Sequence, residues 1–349
     1  MRILIDLSML CHPYCGLGQV AMNYGRWYGV HASEALSGHE VTLLVPRSFV
    51  GHFGTQVRYL VARDCYRWLP GLMPRFDVWH SIHQLAPFRP AGGATRRVLT
   101  IHDVNFMYEK SPAKQRKYLH RLQRECDRAS EICFISRFAQ QETMRFVELH
   151  DKPTHIIPNG VEELTQGLQE SPQGIDSSRP FFLSLGVVKA KKNLQTLIPM
   201  MSLFPQYDLL IAGDDSDPYA ERLRQESAGN SCVRFLGTVT DEQRRWLYAH
   251  CSALLFPSLC EGFGLPVVEA MQWGKPVFCA WATALPETGG EHAFYFDDFT
   301  AEAMATVVRE GLSQFTPGRQ DAEQAYAATF GYDRHLECYR KILTNDERQ

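Results

Sequence analysis

Two carboxylates, Glu261 and Glu269, stand eight residues apart in PSLCEGFGLPVVEAMQWGKP (Pro257 to Pro276), on either side of a glycine-rich bend and a proline. Pro266 suits the first position of a helix and Gly274 its end, which leaves Glu261 in the preceding loop and Glu269 about one turn inside. Leu265, at the cap position, has no side-chain oxygen for the first amides, and Gly262 and Gly264 permit close backbone approach. Those N–H groups and the helix dipole therefore suit a phosphate. Carboxylates repel phosphate but accept hydrogen bonds from neutral hydroxyls. A ligand with hydroxyls, then phosphate, then hydroxyls is a sugar nucleotide.

Such a segment needs a strand before it and a sheet around it, and the chain supplies both. RILIDLSML opens as a buried strand. EVTLLVP (Glu40 to Pro46), FDVWHSI (Phe76 to Ile82), RRVLTIHD (Arg96 to Asp103), EICFIS (Glu131 to Ser136) and THIIPNG (Thr154 to Gly160) follow, with helical periodicity between them. Short apolar runs alternating with helices predict a parallel sheet covered on both faces. The polar, Gly-, Pro- and Ser-containing stretch 162–180 is the expected linker. The pattern then restarts with PFFLSLG, YDLLIAG, CVRFLG, CSALLFP, PVFCA and AFYFD as strands. Two such domains in tandem predict a ligand site at the carboxyl ends of their strands, in a cleft between them. A last helical pattern, Asp333 to Leu343, is expected to pack back onto the first domain.

At 349 residues, 45% of them apolar, the chain has core enough for two domains. The net charge of −3 divides unevenly: residues 1–160 hold 20 Lys+Arg against 13 Asp+Glu, a net of +7, and residues 161–349 hold 16 against 26, a net of −10. The amino terminus does not read as a signal peptide, and no apolar run is long enough for a membrane helix. The ten cysteines show no CxxC pair, which predicts reduced thiols and a cytoplasmic protein. Cys11, His12 and Cys15 lack a second ligand pair and predict no metal site.

The glutamate segment resembles the E-x7-E signature of retaining glycosyltransferases of the GT-B fold, of the family 4 (group 1) type. EGFGLPVVEAMQWGKPV matches that pattern nearly residue for residue, and the resemblance extends to YCGLG, TIHD, FISRF, IIPNGV, LGVVKAKKN, IAGDDS, FLGTVTDEQ and FGYDRHLECYRKIL. It is similar to bacterial mannosyltransferases of surface polysaccharide and lipopolysaccharide synthesis. The resemblance implies an α/β fold of two Rossmann-like domains facing a central cleft: an acceptor-binding domain at 1–161, the linker 162–180, a nucleotide-sugar domain at 181–330, and a carboxyl-terminal helix at 331–349 crossing back to the first.

The resemblance also implies roles. Glu261 touches hydroxyls of the donor sugar, Glu269 holds the ribose, and the amides of Gly262, Phe263, Gly264 and Leu265 meet sugar and phosphates. Lys192 reaches the diphosphate, but Val187 stands where an arginine is usual, so Lys189 or Lys191 is expected to supply the second charge. Gly16 and Gly18, in GxGxxA spacing with Ala21, read as a glycine loop beneath the transferring diphosphate. A dinucleotide site fits less well, because about nine residues separate them from the first strand and the second strand ends without an acid. His102 and Asp103, at the end of a strand, are expected at the donor sugar; His80 and His83 occupy a similar edge, where a satisfied core histidine is the competing reading. Ser136 and Asn159 match family positions. Asp214, in GDDSD, reads as a cap or base contact and not as a metal ligand.

The expected activity is transfer of a hexose, mannose first, from a nucleotide-diphosphate sugar, GDP-mannose first and a UDP-sugar second, to a glycan or glycolipid hydroxyl. No metal cofactor is expected, because cationic side chains and a helix terminus neutralise the diphosphate. Arginine-rich 47–76 and basic 110–128 suit an anionic membrane surface or a phosphorylated glycolipid. No nucleic acid partner is implied. A sugar-nucleotide epimerase, a phosphorylase, and a catalytically idle glycan-binding subunit are the alternatives.

Overall fold

The computed structural model describes residues 1–12, 16–92, 95–176 and 178–345, and these divide into two compact units. Tyr14 and Cys15 lie outside the described residues, as does the end of the expected last helix at 346–349.

The first unit comprises 1–160 and the segment from Tyr332 onward. Its elements run β1 (Arg2–Asp6), α1 (Gly16–Ala35), β2 (Glu40–Val45), β3 (Arg58–Val61), α2 (Asp64–Trp68), β4 (Val78–Ser81), β5 (Arg96–Ile101), α3 (Phe106–Glu109), α4 (Pro112–Arg128), β6 (Glu131–Phe134), α5 (Arg137–Met144) and β7 (Thr154–Ile156). The seven strands are parallel in the order β3-β2-β1-β4-β5-β6-β7. Ile3, Leu4 and Ile5 of central β1 are all fully buried, the mark of a strand covered on both faces. Ile3 and Ile5 face a core with Tyr24 and Tyr28 of α1, whereas Leu4 faces Leu44, Phe76 and Trp79. Helix α1 packs so closely that a Cβ on Gly29 would lie 2.1 Å from the Phe53 carbonyl oxygen.

The second unit, Val161–Gly331, contains β8 (Phe181–Leu185), α6 (Leu197–Met201), β9 (Asp208–Ala212), α7 (Pro218–Ser227), β10 (Val233–Gly237), α8 (Asp241–His250), β11 (Ala253–Phe256), α9 (Leu265–Gln272), β12 (Val277–Ala280), α10 (Leu285–Gly289), β13 (Phe294–Phe296), α11 (Ala301–Gln314) and α12 (Pro317–Ala328). Its six strands are also parallel, ordered β10-β9-β8-β11-β12-β13. The capping box of Thr240 and Gln243 starts α8.

Helix α13 (Tyr332–Thr344) belongs to the first unit. Its His335 shares a hydrogen bond with the Tyr24 hydroxyl at 2.7 Å and donates from Nδ1 to the Pro158 carbonyl at 2.6 Å. Tyr339 meets Thr100 Oγ1 at 2.8 Å, Asp333 accepts from Trp27 Nε1 at 2.7 Å, and the Arg96 guanidinium donates to the Ile342 carbonyl.

Stretch 162–180, expected as a linker, is instead laid along the second unit. Leu164 is fully buried and its N–H reaches Gln272, Glu170 donates to the Glu242 carbonyl, and Glu162 pairs with Arg244 at 3.4 Å. Arg234 donates to the Gly174 carbonyl at 2.6 Å and Arg179 pairs with Asp208 at 2.5 Å, holding the far end of the stretch as well. No helix among the described residues is long and apolar enough to cross a membrane.

Candidate functional site

In the second sheet the strand order reverses between β8 and β11, and loops leaving adjacent carboxyl ends diverge there, making room for a ligand. After β8, Gly186 (φ +141°) turns the chain into a single 3-10 turn, Ala190–Lys192, closed by Asn193 at φ +56°. After β11 comes the loop with Ser258 and Glu261. The two loops meet: Lys192 Nζ lies 2.5 Å from Glu261 Oε1, and that same oxygen accepts from Ser258 Oγ at 2.6 Å. Leu259 N–H donates to the Lys191 carbonyl at 2.8 Å. The Lys192 ammonium also stands 4.6 Å from the centre of the Phe256 ring, and it lines a small recess with Ser184, Gly186, Leu194 and Phe256.

Burial acts to raise the Glu261 pKa, but Lys192, the hydrogen bonds from Lys192 and Ser258, and the field of Lys191 hold it below its ordinary value. Its backbone N–H is fixed by Thr283 Oγ1 at 3.1 Å, from a loop in which Thr283 itself adopts φ +53°.

The helix start lies one residue earlier than the sequence predicts. Gly264, not Leu265, is the cap, with φ +105°, and a Cβ there would come within 2.6 Å of Leu285 Cδ2. Leu265 is the first helical residue, Pro266 has no N–H, and Val267 N–H turns to the Gly264 carbonyl at 3.0 Å. The amides expected to meet an anion are thereby those of the bend, Gly262 to Leu265, rather than those of the helix that follows. Glu269, on α9, is buried; Oε2 accepts from the Tyr248 hydroxyl at 2.6 Å and Oε1 lies 3.6 Å from Arg244 Nη1. Two neighbours thus aim a carboxylate that keeps lone pairs for a further donor.

Of the two lysines expected to replace the arginine missing at Val187, Lys191 is the one whose field reaches Glu261, whereas Lys189 acts on Asp214. Asp214 is exposed and bends its own backbone, accepting from Ser216 N–H at 3.0 Å, which lowers its pKa; Asp217 caps α7. No cluster of potential metal ligands occurs among the described residues.

In the first unit, Gly16 and Gly18 form the first turn of α1, and a Cβ on Gly16 would meet open space. His102 follows β5 and is buried; its Nε2–H donates to the Ile82 carbonyl at 2.8 Å, and burial pushes its pKa down to about 4. The ring is neutral near pH 7, with Nδ1 as its acceptor. Asp103 Oδ1 accepts from Asn105 N–H at 3.0 Å. His83 Nδ1 accepts from Leu85 N–H at 3.2 Å, 6.3 Å from His102 ring to ring. His80 is a core residue: fully buried, stacked on Tyr339 at 4.5 Å, with Nε2 at 2.9 Å from Thr100 Oγ1. Ser136 caps α5 by accepting from Ala139 N–H, and Asn159 is buried beside Gly160, whose Cα packs on Tyr332.

Thr283, Tyr248, Arg244 and Gln84 escape a reading by motif, because each reaches its partner from a distant part of the sequence, Arg244 and Tyr248 together from α8, and only the fold brings them there. Ser258, three residues before Glu261, is a partner that local spacing could have suggested.

Comparison with known proteins agrees with this geometry. Residues 166–326 match the family model "Glycosyl transferases group 1", and residues 26–163 match "Glycosyltransferase Family 4". The O-antigen chain mannosyltransferase B of Escherichia coli is 28% identical over 257 residues, which are 67% of this chain and 65% of that protein. The serotype-specific mannosyltransferase WbdA of Escherichia coli is 30% identical over 222 residues, 59% of this chain but only 27% of that longer protein. The chain therefore spans under two thirds of the first relative and about a quarter of the second. Among solved structures, Anabaena Alr3699/HepE in complex with UDP-glucose superposes with a TM-score of 0.76 at 18% identity, covering 99% of this chain and 100% of that one, a likeness of fold. With two parallel Rossmann-like sheets, a paired lysine and glutamate at the switch point of the second, and family models matching both units in turn, the chain belongs to the group 1 glycosyltransferases of GT-B fold, with a family 4 domain in its first unit.

Proposed function

We propose that the protein is a retaining hexosyltransferase that moves mannose from GDP-mannose to a hydroxyl of a glycan or glycolipid in cell-surface polysaccharide or lipopolysaccharide synthesis. The observation that carries this reading is the Lys192–Glu261 pair at the β8/β11 switch point, a cation for the diphosphate beside a carboxylate for sugar hydroxyls. The named mannosyltransferase relatives support mannose; the UDP-glucose complex of the structural neighbour makes a UDP-sugar the second choice.

In this reading the second unit holds the donor. Lys192, Lys191 and the amides from Gly262 to Leu265 neutralise the departing diphosphate, Glu261 accepts from sugar hydroxyls, and Glu269 from the ribose. The acceptor hydroxyl attacks on the face the diphosphate leaves, and a donor phosphate oxygen takes its proton, so configuration is retained without a protein nucleophile. Two lysines and a bend of amides supply the charge that a metal would otherwise provide, so transfer should withstand chelation with EDTA.

The first unit takes the acceptor and rests peripherally on the cytoplasmic face of an anionic membrane. Trp68 is 82% exposed and Leu69 and Leu72 about 60%, with exposed Arg63, Arg67 and Arg75 around them; Lys114, Arg116, Lys117 and Arg124 are exposed on α4. Interfacial aromatic and aliphatic side chains ringed by arginines suit lipid headgroups.

The test is to incubate the chain with GDP-mannose or UDP-glucose and lipid-linked oligosaccharide acceptors, reading product mass and anomeric configuration. Acceptor-dependent transfer with retention supports the proposal. Isomerised donor, a requirement for inorganic phosphate, or binding without turnover would replace it with an epimerase, a phosphorylase, or the idle subunit that Val187 favours.

A further inference from the structure

The Gln84 side chain bridges the loops leaving β4 and β5 of the first unit. Gln84 is 3% exposed, and both ends of its amide are engaged: Nε2 donates to the Asp103 carbonyl at 2.7 Å, and Oε1 accepts from His102 N–H at 3.1 Å. Its orientation follows from its partners, since a backbone N–H must meet the oxygen and a carbonyl the NH2 group. In return, His102 Nε2–H reaches back to the Ile82 carbonyl, two residues before Gln84. Three hydrogen bonds thus close a ring between segments 82–84 and 102–103. The ring fixes the His102 backbone through Gln84 and its imidazole tautomer through Ile82, so that Nδ1 alone is left to accept.

We infer that Gln84 is a positioning residue for sugar transfer, clamping the His102–Asp103 backbone so that His102 Nδ1 accepts from a hydroxyl of the bound sugar. This inference rests on the transferase reading above. Gln84 does not touch substrate; it acts through His102. A leucine of similar size would fill the space but take away both amide hydrogen bonds that Gln84 makes to the His102 N–H and the Asp103 carbonyl, so the loop would relax, and a displacement of about 1 Å at a positioned group can cost about 100-fold in rate.

The experiment compares native protein, Gln84→Leu, His102→Ala and the double variant. In Gln84→Leu, kcat should fall about 10- to 100-fold with KM for the sugar nucleotide and affinity for the nucleoside diphosphate nearly unchanged. In the double variant the loss should equal that of His102→Ala alone, because the two changes act on one group. Amide exchange at His102 N–H, read by NMR, should quicken in Gln84→Leu, and this arm does not depend on catalysis. Gln84→Glu is the second variant should leucine impair folding. Its ionised carboxylate accepts from His102 N–H but faces the Asp103 carbonyl without a donor, whereas its protonated form donates there, so its activity should recover as pH falls. A folded Gln84→Leu with native kcat, losses that multiply in the double variant, or unchanged exchange at His102 would overturn the inference. Failure of the native chain to transfer sugar would instead sink the transferase reading, while the exchange arm still decides whether Gln84 holds the loop.

Discussion

Lys192 Nζ and Glu261 Oε1 sit 2.5 Å apart, and each has about one seventh of its side chain exposed, so the pair is screened from solvent without being sealed from it. Lysine has three donors and spends one on Glu261, leaving two that can turn to phosphate oxygens. Removing the cation alone strands a desolvated carboxylate.

Lys192→Met should therefore destabilise the protein by about 3 kcal/mol at pH 7, as expected for breaking a buried pair. Glu261 is ionised below its ordinary pKa only because of that cation and its hydrogen bonds; without it, burial raises the pKa, and the stability of the variant should fall as pH rises through the new value. Lys192→Met with Glu261→Gln should recover most of the loss, yet neither variant should bind a nucleoside diphosphate within tenfold of the native chain. Denaturant unfolding and titration calorimetry read the two effects separately.

Tyr248→Phe removes the hydroxyl that donates to Glu269 Oε2 and leaves Arg244 as its remaining neighbour. The nucleoside diphosphate should bind about fivefold more weakly, a loss of about 1 kcal/mol, typical of one hydrogen bond. With a 2′,3′-dideoxyribose analogue the native chain and the variant should bind alike. An equal loss with both nucleotides would move the ribose away from Glu269.

How far the sequence reached is clearest at particular residues. All six strands of the second unit are legible, since each is a short apolar run and five of the six end at Gly, Pro or Asp, and the Glu261-to-Glu269 segment carries its own loop and helix signals. Strand β3, RYLV, goes unseen because at the sheet edge exposed Arg58 is followed by three residues that are only half-buried, in a stretch rich in arginine. The helix cap slips by one residue because a proline tolerates the first two helical positions equally and only the Gly264 dihedral decides between them. His80 resembles His102 in sequence, each standing at a strand's end; the difference is long-range, since Tyr339 of α13 stacks on His80 whereas His102 donates to the Ile82 carbonyl.

Burial depresses the pKa of four histidines of the first unit, His80 and His83 to about 3 and His102 and His335 to about 4. Each is neutral in the fold and protonates more readily when unfolded, so their contribution is intact above about pH 6.5 and drains away as pH falls toward 4. Denaturant unfolding across that window should show a steep loss of stability, and His335→Gln should flatten it by about 1.4 kcal/mol per pH unit, one proton's worth.

Glu323 on α12 shows the opposite sign. It is fully buried, neither oxygen has a hydrogen-bond partner among the described residues, and burial raises its pKa to about 8 despite Arg319 nearby. The folded chain holds this proton and the unfolded chain releases it, so stability should decline as pH rises from about 4.5 through 8. Glu323→Gln should remove that decline and stabilise the protein above pH 8 by about 1–3 kcal/mol, the scale of an unmet buried polar group. Thermal melts at pH 6 and pH 9 check it.

Because α13 is woven into the first sheet by His335, Tyr339 and the carbonyls that Arg96 holds, the first unit is topologically a host and Val161–Gly331 a guest inserted in it. A ribosome delivers the seven strands of the host long before it delivers the helix that caps Tyr24, His80 and Thr100. The guest can close while synthesis continues, but the host must wait with part of its core uncovered, and that interval is when the nascent chain most needs a chaperone.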